Sequence, residues 1–286
     1  MSLVVAIMSE QPAGSFRGPA PWGEWQIHQL ADPTVLATDP VVRSPRTTHV
    51  LVLSTSAGAD RAHVAASTTA AARPELPVRV ASFPVSPTVL TRAVELVPPG
   101  VTSPTGVYDA IVAALDSVVW GAWLPSVAKL SRPAPTLRQH VQSWFSDANG
   151  YLAVHGEPGW VAKLPVAELA PERRLRRVPA PGLTAPSLEC HAYGELPEAA
   201  IATLFAMGLT GRPVRREPVA DATGTWGTPK AVEFVVSWPV PMPVAIGPAQ
   251  RCPSCDEPVS GETCPFCRVA PVRVGRNEAR VRGVAS

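Results

Sequence analysis

Residues 47–55, TTHVLVLST, constrain the fold more than any other stretch of the chain. The run is β-branched and apolar and lacks the polar alternation of a half-exposed strand, so it predicts a strand buried on both faces. The alanine-rich stretch that follows, SAGADRAHVAASTTAAARPE (56–75), predicts a helix as far as Arg73, where Pro74 cannot continue it. LPVRVASF (76–83) reads as a second strand. In SPTVLTRAVELV (86–97), Ser86 is placed to cap a helix and Pro87 to occupy its first position. Strand, helix, strand, helix with short links predicts a βαβ unit with parallel strands.

Around this unit the chain divides by composition. Residues 1–23 read as a flexible arm rich in Pro and Gly, and the opening MSLVVAIM lacks the basic segment and cleavage site of a signal peptide. The polar run after it leaves the first residues readable as an extension of a start at Met8. EWQIHQL (24–30) is a candidate first strand. SPTGVYDAIVAALDSVVWGAWL (103–124) predicts a long helix with Ser103 and Pro104 at its start; Asp116 interrupts its apolar part, which makes it a buried helix and not a membrane span. A further helix is expected over 134–150 and a hairpin over 151–166. Residues 170–186 read as a linker. A strand (187–193), a helix (197–208) and two strands (212–219 and 230–238) then predict a small α+β domain over 187–238. Residues 239–250 form a proline-rich tether and 270–286 a basic tail.

Between tether and tail, RCPSCDEPVSGETCPFCRV (251–269) carries four of the five cysteines as C-x2-C-x8-C-x2-C. Two intervening residues let both sulfurs of a pair converge on one ion while backbone amides of the turn point at them. Two such knuckles supply the four thiolates of a tetrahedral zinc site. Pro253 and Pro265 pre-form each turn. Disulfides are disfavoured without an export signal, a redox pair belongs at a strand-to-helix junction, and iron is the less usual ion for two knuckles. The module resembles the short zinc ribbons appended to many bacterial and archaeal proteins. That resemblance implies Cys252, Cys255, Cys264 and Cys267 as zinc ligands. Many such knuckles carry glycine after the second cysteine; Asp256 and Arg268 stand there, and each then needs a positive φ. Four thiolates leave no open coordination position, so the Zn2+ is expected to be structural. Cys190, inside a predicted strand, reads as a core residue. The expected architecture is therefore an α/β N-terminal domain (24–169) with a smaller α+β domain and a C-terminal zinc ribbon.

Charge excludes a bulk electrostatic function: Lys+Arg 25 against Asp+Glu 23 leaves a net charge of +2. The 34 prolines and the scarcity of lysine (only Lys129, Lys163 and Lys230) read as GC-rich coding, not as a functional signal. Local basic elements remain, namely Arg173, Arg174, Arg176 and Arg177 in the linker and Arg268, Arg273, Arg276, Arg280 and Arg282 beside and within the tail. LSTSAGAD (53–60) follows a strand and opens a helix, where phosphates bind in α/β folds, which makes Ser54, Ser56 and Asp60 candidate contacts for a small molecule. It matches neither a dinucleotide fingerprint nor a phosphate-binding loop, and GTWGTPK (224–230) lacks the context of one. No histidine pair or nucleophile motif supports catalysis. The leading expectation is thus a cytoplasmic adaptor subunit of a bacterial multiprotein system, its tethered ribbon contacting a protein partner. A nucleic-acid-associated protein using ribbon and arginine tail is the second reading. An enzyme with a small-molecule site at the end of strand 47–55 is the third. No membrane partner is expected.

Overall fold

The structure, a computed structural model, describes residues 2–8, 17–19, 25–30, 32–98, 100–145, 149–156, 159–166, 187–191, 195–208, 213–238 and 250–273. The run at 47–55 is β4 (Thr47–Thr55), and it is buried as its composition requires. It pairs in parallel with β1 (Ser2–Met8) on one side and β5 (Val78–Phe83) on the other. β1 also pairs in parallel with β3 (Trp25–Leu30), and β2 (Arg17–Pro19) runs antiparallel along β3, giving the order β2-β3-β1-β4-β5.

Residues 2–8 are therefore a central strand and not part of a flexible arm. Alternation explains why: Leu3, Val5 and Ile7 enter the core on one face of the sheet, and Val4, Ala6 and Met8 enter the core on the other. A segment apolar at both parities satisfies itself only between two covering layers. Those layers are α1 (Val35–Thr38) and α2 (Ala59–Ala72) on one face and α3 (Pro87–Glu95) and α4 (Pro104–Asp116) on the other. The caps are those expected: Ser86 Oγ accepts from Val89 N at 3.3 Å and Ser103 Oγ from Gly106 N at 3.1 Å.

The long helix expected over 103–124 ends at Asp116. The rest is β6 (Val118–Leu124), a strand of the second sheet. The change follows from VVWGAWL, whose β-branched and aromatic side chains suit a pleated surface better than a helix. The second sheet runs β10 (Val214–Arg216), β9 (Ser187–His191), β11 (Val232–Ser237), β6, β7 (Tyr151–Val154), β8 (Trp160–Lys163) and is antiparallel except between β10 and β9. Strands on both sides of residues 170–186 share this sheet, so the structural division falls after Asp116 and not at that linker, which lies outside the described residues. One face is covered by α6 (Glu198–Ala206), over Leu188, Cys190, Val232, Phe234 and Val236. Cys190 is a core residue, and burial pushes its thiol up to about 12. The helix expected over 134–150 shortens to α5 (Leu137–Gln142), and the segment between the strands expected over 212–219 and 230–238 contains α7 (Thr223–Trp226).

α3 belongs to both halves. Leu90, Ala93 and Val94 join the core of the first sheet, while Val89 packs with Val118 and Val235 of the second. Thr88 donates to Glu233, whose other oxygen accepts from Trp226 Nε1 at 2.7 Å. Arg92 lies 3.3 Å from Glu189 and donates to Ser237 Oγ at 3.3 Å. Burial would raise the Glu189 carboxyl, but the neighbouring His191, Arg92 and Arg216 more than offset this and hold it below its ordinary value.

Gly121 on β6 lies opposite Phe234, and a Cβ there would overlap the Ala153 carbonyl oxygen and come within 2.6 Å of Phe234 Cζ. Gly121→Ala should cost about 1–3 kcal/mol in urea denaturation; unchanged stability would show that the sheet is not packed this closely. His155 stacks on Trp120 with centroids 3.8 Å apart and meets Trp226 edge-on. Burial depresses its imidazole to about 4. The unfolded chain binds a proton below about pH 6.5 while the folded chain does so only near 4, so His155 stabilises the fold above that window and the contribution is lost as pH falls through it. Stability should drop by on the order of 2 kcal/mol between pH 7 and 4.5 and drop less in His155→Gln; parallel pH profiles for the two proteins would remove the assignment.

Candidate functional site

The cysteine module forms a small sheet of β12 (Gln250–Arg251), β13 (Pro258–Val259) and β14 (Val272–Arg273). Its two knuckles repeat one hydrogen-bond pattern. Cys252 N donates to Glu257 O at 3.0 Å and Cys264 N to Val269 O at 2.9 Å; Asp256 N donates to Cys252 O at 2.9 Å and Arg268 N to Cys264 O at 3.0 Å. Asp256 and Arg268 both take the left-handed conformation, with φ of 58°. The sulfurs of Cys252, Cys255, Cys264 and Cys267 all lie within 4.8 Å of one another. Cys255 Sγ and Cys264 Sγ are 3.7 Å apart, near the roughly 3.8 Å edge of a tetrahedron built on Zn–S bonds of about 2.3 Å. Burial opposes ionisation at Cys252, but the Ser254 and Cys255 amides bring its thiol down to about 7. Burial and the crowding of the other thiols push Cys255 up to about 12, and burial raises Cys264 as well. Such a donor set becomes fully ionised only around a cation, and these four cysteines could hold a metal ion.

The module is docked on its own chain. Arg79 Nη2 donates to Cys255 O at 3.2 Å, and Arg79 Nε lies 3.4 Å from the buried carboxylate of Glu257. Ser260 donates to Asp109 on α4. Phe266 meets Tyr108 edge-on at 6.0 Å and packs against the core of the first sheet. The one aromatic side chain of the module is therefore spent on an internal contact. The cleft of about 650 Å³ beneath it contains Arg79, Arg251, Asp256 and Glu257, but these charges pair among themselves: Arg79 with Glu257 as above, and Arg251 with Asp256 at 3.2 Å.

A second cleft, of about 460 Å³, lies at the opposite, carboxyl edge of β4 and β5. One wall is Thr55, Ser56, Ala57 and Arg61 with Pro84 and Val85; the other is the second half's Ala220, Asp221, Thr223 and Thr225. Here the chain leaves β4 through a 3-10 turn (Ser56–Gly58) and enters α2 with no side-chain cap on either, unlike α3 and α4. Backbone amides at the head of the turn and helix are thus not taken up by capping side chains. The Asp221 carboxylate is occupied locally, accepting from Thr223 N at 2.9 Å and Thr223 Oγ1 at 2.8 Å. Thr55, Ser56, Thr225 and Arg61 line this cleft, a set of side chains able to hydrogen-bond a ligand. Val85 continues the apolar wall into the seam formed by Val89, Val118 and Val235.

Of the residues singled out from the sequence, Ser56 lines this cleft. Ser54 lies just inside, buried and 2.7 Å from Ser82 Oγ, and Asp60 is exposed in the first turn of α2, off the lining. Sequence reasoning missed Arg61 and the whole opposing wall; the nearest cue was GTWGTPK (224–230), set aside because it lacks the context of a phosphate-binding loop. Arg268 is exposed at its knuckle; Arg276, Arg280, Arg282 and the cluster at 173–177 lie outside the described residues, as does the Arg273 side chain.

No protein-family model matches the chain, and no curated protein matches it. Solved structures do. The Streptococcus pneumoniae fatty acid kinase B3 protein loaded with linoleic acid is similar over 83% of this chain and 99% of its own, at 10% identity and a TM-score of 0.49. A DegV family protein from Eubacterium eligens loaded with heptadecanoic acid matches over 82% and 99%, at 10% identity and 0.47. A fatty acid binding DegV family protein from Streptococcus agalactiae matches over 83% and 99%, at 12% identity and 0.46. These likenesses describe a mixed α/β architecture. All three proteins are described by a fatty acid they bind, and none as an adaptor or a nucleic-acid protein. The expectation of a zinc-ribbon adaptor is corrected accordingly, and with it the nucleic-acid alternative. The docked module gives the physical reason, since the surface assigned to a partner faces the chain itself.

Proposed function

We propose that the chain is a binding protein for a carboxylate-bearing amphiphile of the fatty-acid class, held in the cleft at the carboxyl edge of β4 and β5. The observation that carries this reading is the cleft itself: the uncapped turn at Ser56, the hydroxyl-bearing Thr55, Ser56 and Thr225, and Arg61 line it together with the apolar Pro84, Val85 and Pro87, and Val85 packs against the seam. Its volume of about 460 Å³ falls within the roughly 300–1,000 Å³ typical of small-molecule sites. A carboxylate matches that donor set, and an alkyl chain matches the wall. Fatty acids are what the similar structures are described as binding; the reading for this chain stands on the cleft. Titration of the full chain with hexadecanoic acid is expected to give saturable binding of one acid per chain. Arg61→Ala and Ser56→Ala should each weaken it by about fivefold or more, and the methyl ester should bind poorly. Ester binding as tight as the acid, or unaltered binding in both variants, would remove the assignment.

We further infer that the four thiolates of the module hold one structural zinc ion. Spacing, sulfur separations and paired knuckles support it. Four thiolates complete the tetrahedron, so the ion would fix the module and leave no site for substrate. Elemental analysis should find about one zinc per chain. Cys264→Ser should lose most of it and expose the 250–273 segment to protease. Protein purified in zinc-containing medium without bound metal would sink the reading.

A further inference from the structure

One buried side chain is bonded to the residues behind both walls of the ligand cleft. Glu233 on β11 is 5% exposed and lies off the cleft lining. One of its oxygens accepts from Thr88, the residue after Pro87, which stands in the cleft wall at the head of α3. The other accepts from Trp226 Nε1 at 2.7 Å, and Trp226 follows Thr225, which stands in the facing wall. Thr88 and Trp226 are each 1% exposed. Both bonds thus end on a carboxylate shielded from water, where an unmatched partner is most costly.

The facing wall depends on such a support. α7 is a single turn of four residues that begins without a side-chain cap, and a turn so short has no helical stability of its own. Its buried residue is Trp226, which meets Trp120 and His155 edge-on. Apolar packing is non-directional and holds the indole at its depth, whereas the N–H bond to Glu233 is directional and fixes its orientation. The links from Arg92 to Glu189 and to Ser237 hold α3 against the second sheet without touching α7. Removing the Glu233 carboxylate therefore frees α7 and leaves the sheet in place. We propose that Glu233 is a positioning residue for the cleft, tying α7 to the head of α3 and so setting the separation of Ser56 and Pro87 from Thr223 and Thr225. The role in binding rests on the reading of that cleft as an acid-binding site; the tie itself rests on the two hydrogen bonds.

Glu233→Leu fills similar space and removes both bonds. Hydrogen exchange of residues 220–227, followed by mass spectrometry on the full chain without ligand, should quicken about tenfold in that variant and in Trp226→Phe, with residues 47–55 unchanged. Glu233→Gln should restore slow exchange, because the amide oxygen can accept from Trp226 Nε1 while the amide N–H donates to Thr88 Oγ1. Affinity for hexadecanoic acid should fall about tenfold in Glu233→Leu and stay within about threefold of wild type in Glu233→Gln. Thr88→Val keeps the side-chain shape without the hydroxyl; it should lose about fivefold and serves where Glu233→Leu does not fold. The proposal is overturned if exchange over 220–227 in Glu233→Leu or Trp226→Phe matches wild type, if it quickens equally over 47–55, or if Glu233→Leu and Thr88→Val hold the acid as tightly as wild type. A wild type that binds no hexadecanoic acid removes the ligand reading, and exchange over 220–227 then decides the tie alone.

Discussion

α3 is buried on nearly every side, and the two halves of the molecule are held in register through it. Nine residues supply an apolar edge to the parallel sheet through Leu90, Ala93 and Val94 and a mixed edge to the second sheet through Thr88, Val89 and Arg92. The second edge uses the period of two along β9 and β11. Leu188, Cys190, Val232, Phe234 and Val236 point into the core beneath α6, while Glu189 and Glu233 emerge on the opposite face and meet Arg92 and Thr88. Buried acids of this kind add little net stability once desolvation is counted, but they penalise any arrangement that leaves them unpaired. The relative placement of the sheets, and so of the cleft walls at Ser56 and Thr223, depends on these pairings.

What the sequence revealed followed how local its determinants are. β4, α2, β5 and α3 were legible because caps, Pro74 and the β-branched run are signals contained in the segments themselves. The knuckles were legible because cysteine spacing encodes a geometry, including the positive φ required at Asp256 and Arg268 and found there. β1 was not, because an apolar octet followed by Pro and Gly has no local sign that β3 and β4 will flank it. Residues 118–124 were misread because a helical phase established from Val107 to Ala114 extrapolates smoothly through Ser117; the strand propensity of VVWGAWL is realised by pairing with Val232–Ser237 and Tyr151–Val154. The cleft was half legible: Ser56 sits at a recognisable strand-to-helix turn, but the facing wall comes from residues 220–225, which no local pattern joins to it.

The module with the strongest motif turned out to say least about activity. A closed set of thiols stabilises, and here what it stabilises is a cover over the amino edge of the first sheet, with Phe266 as its plug. The chemistry that can address a ligand lies at the other edge, where α2 begins without a cap. Separation of the two across the length of β4 means that a disturbance at the cysteines reaches the cleft through the sheet or through α4 and α3.

The docked module also imposes an order on synthesis. It follows every other described element in the chain, yet it closes over residues from the beginning: Leu3, Thr48, Pro77 and Arg79 border the space that it covers. A nascent chain can assemble both sheets around α3 while the lower rim of the first remains open to solvent. Only when Phe266 and the last knuckle emerge is that rim sealed. Apolar groups at the start of β1 and around Tyr108 then stay exposed through most of translation, and the interval before the module docks is when this chain is most open to misassembly.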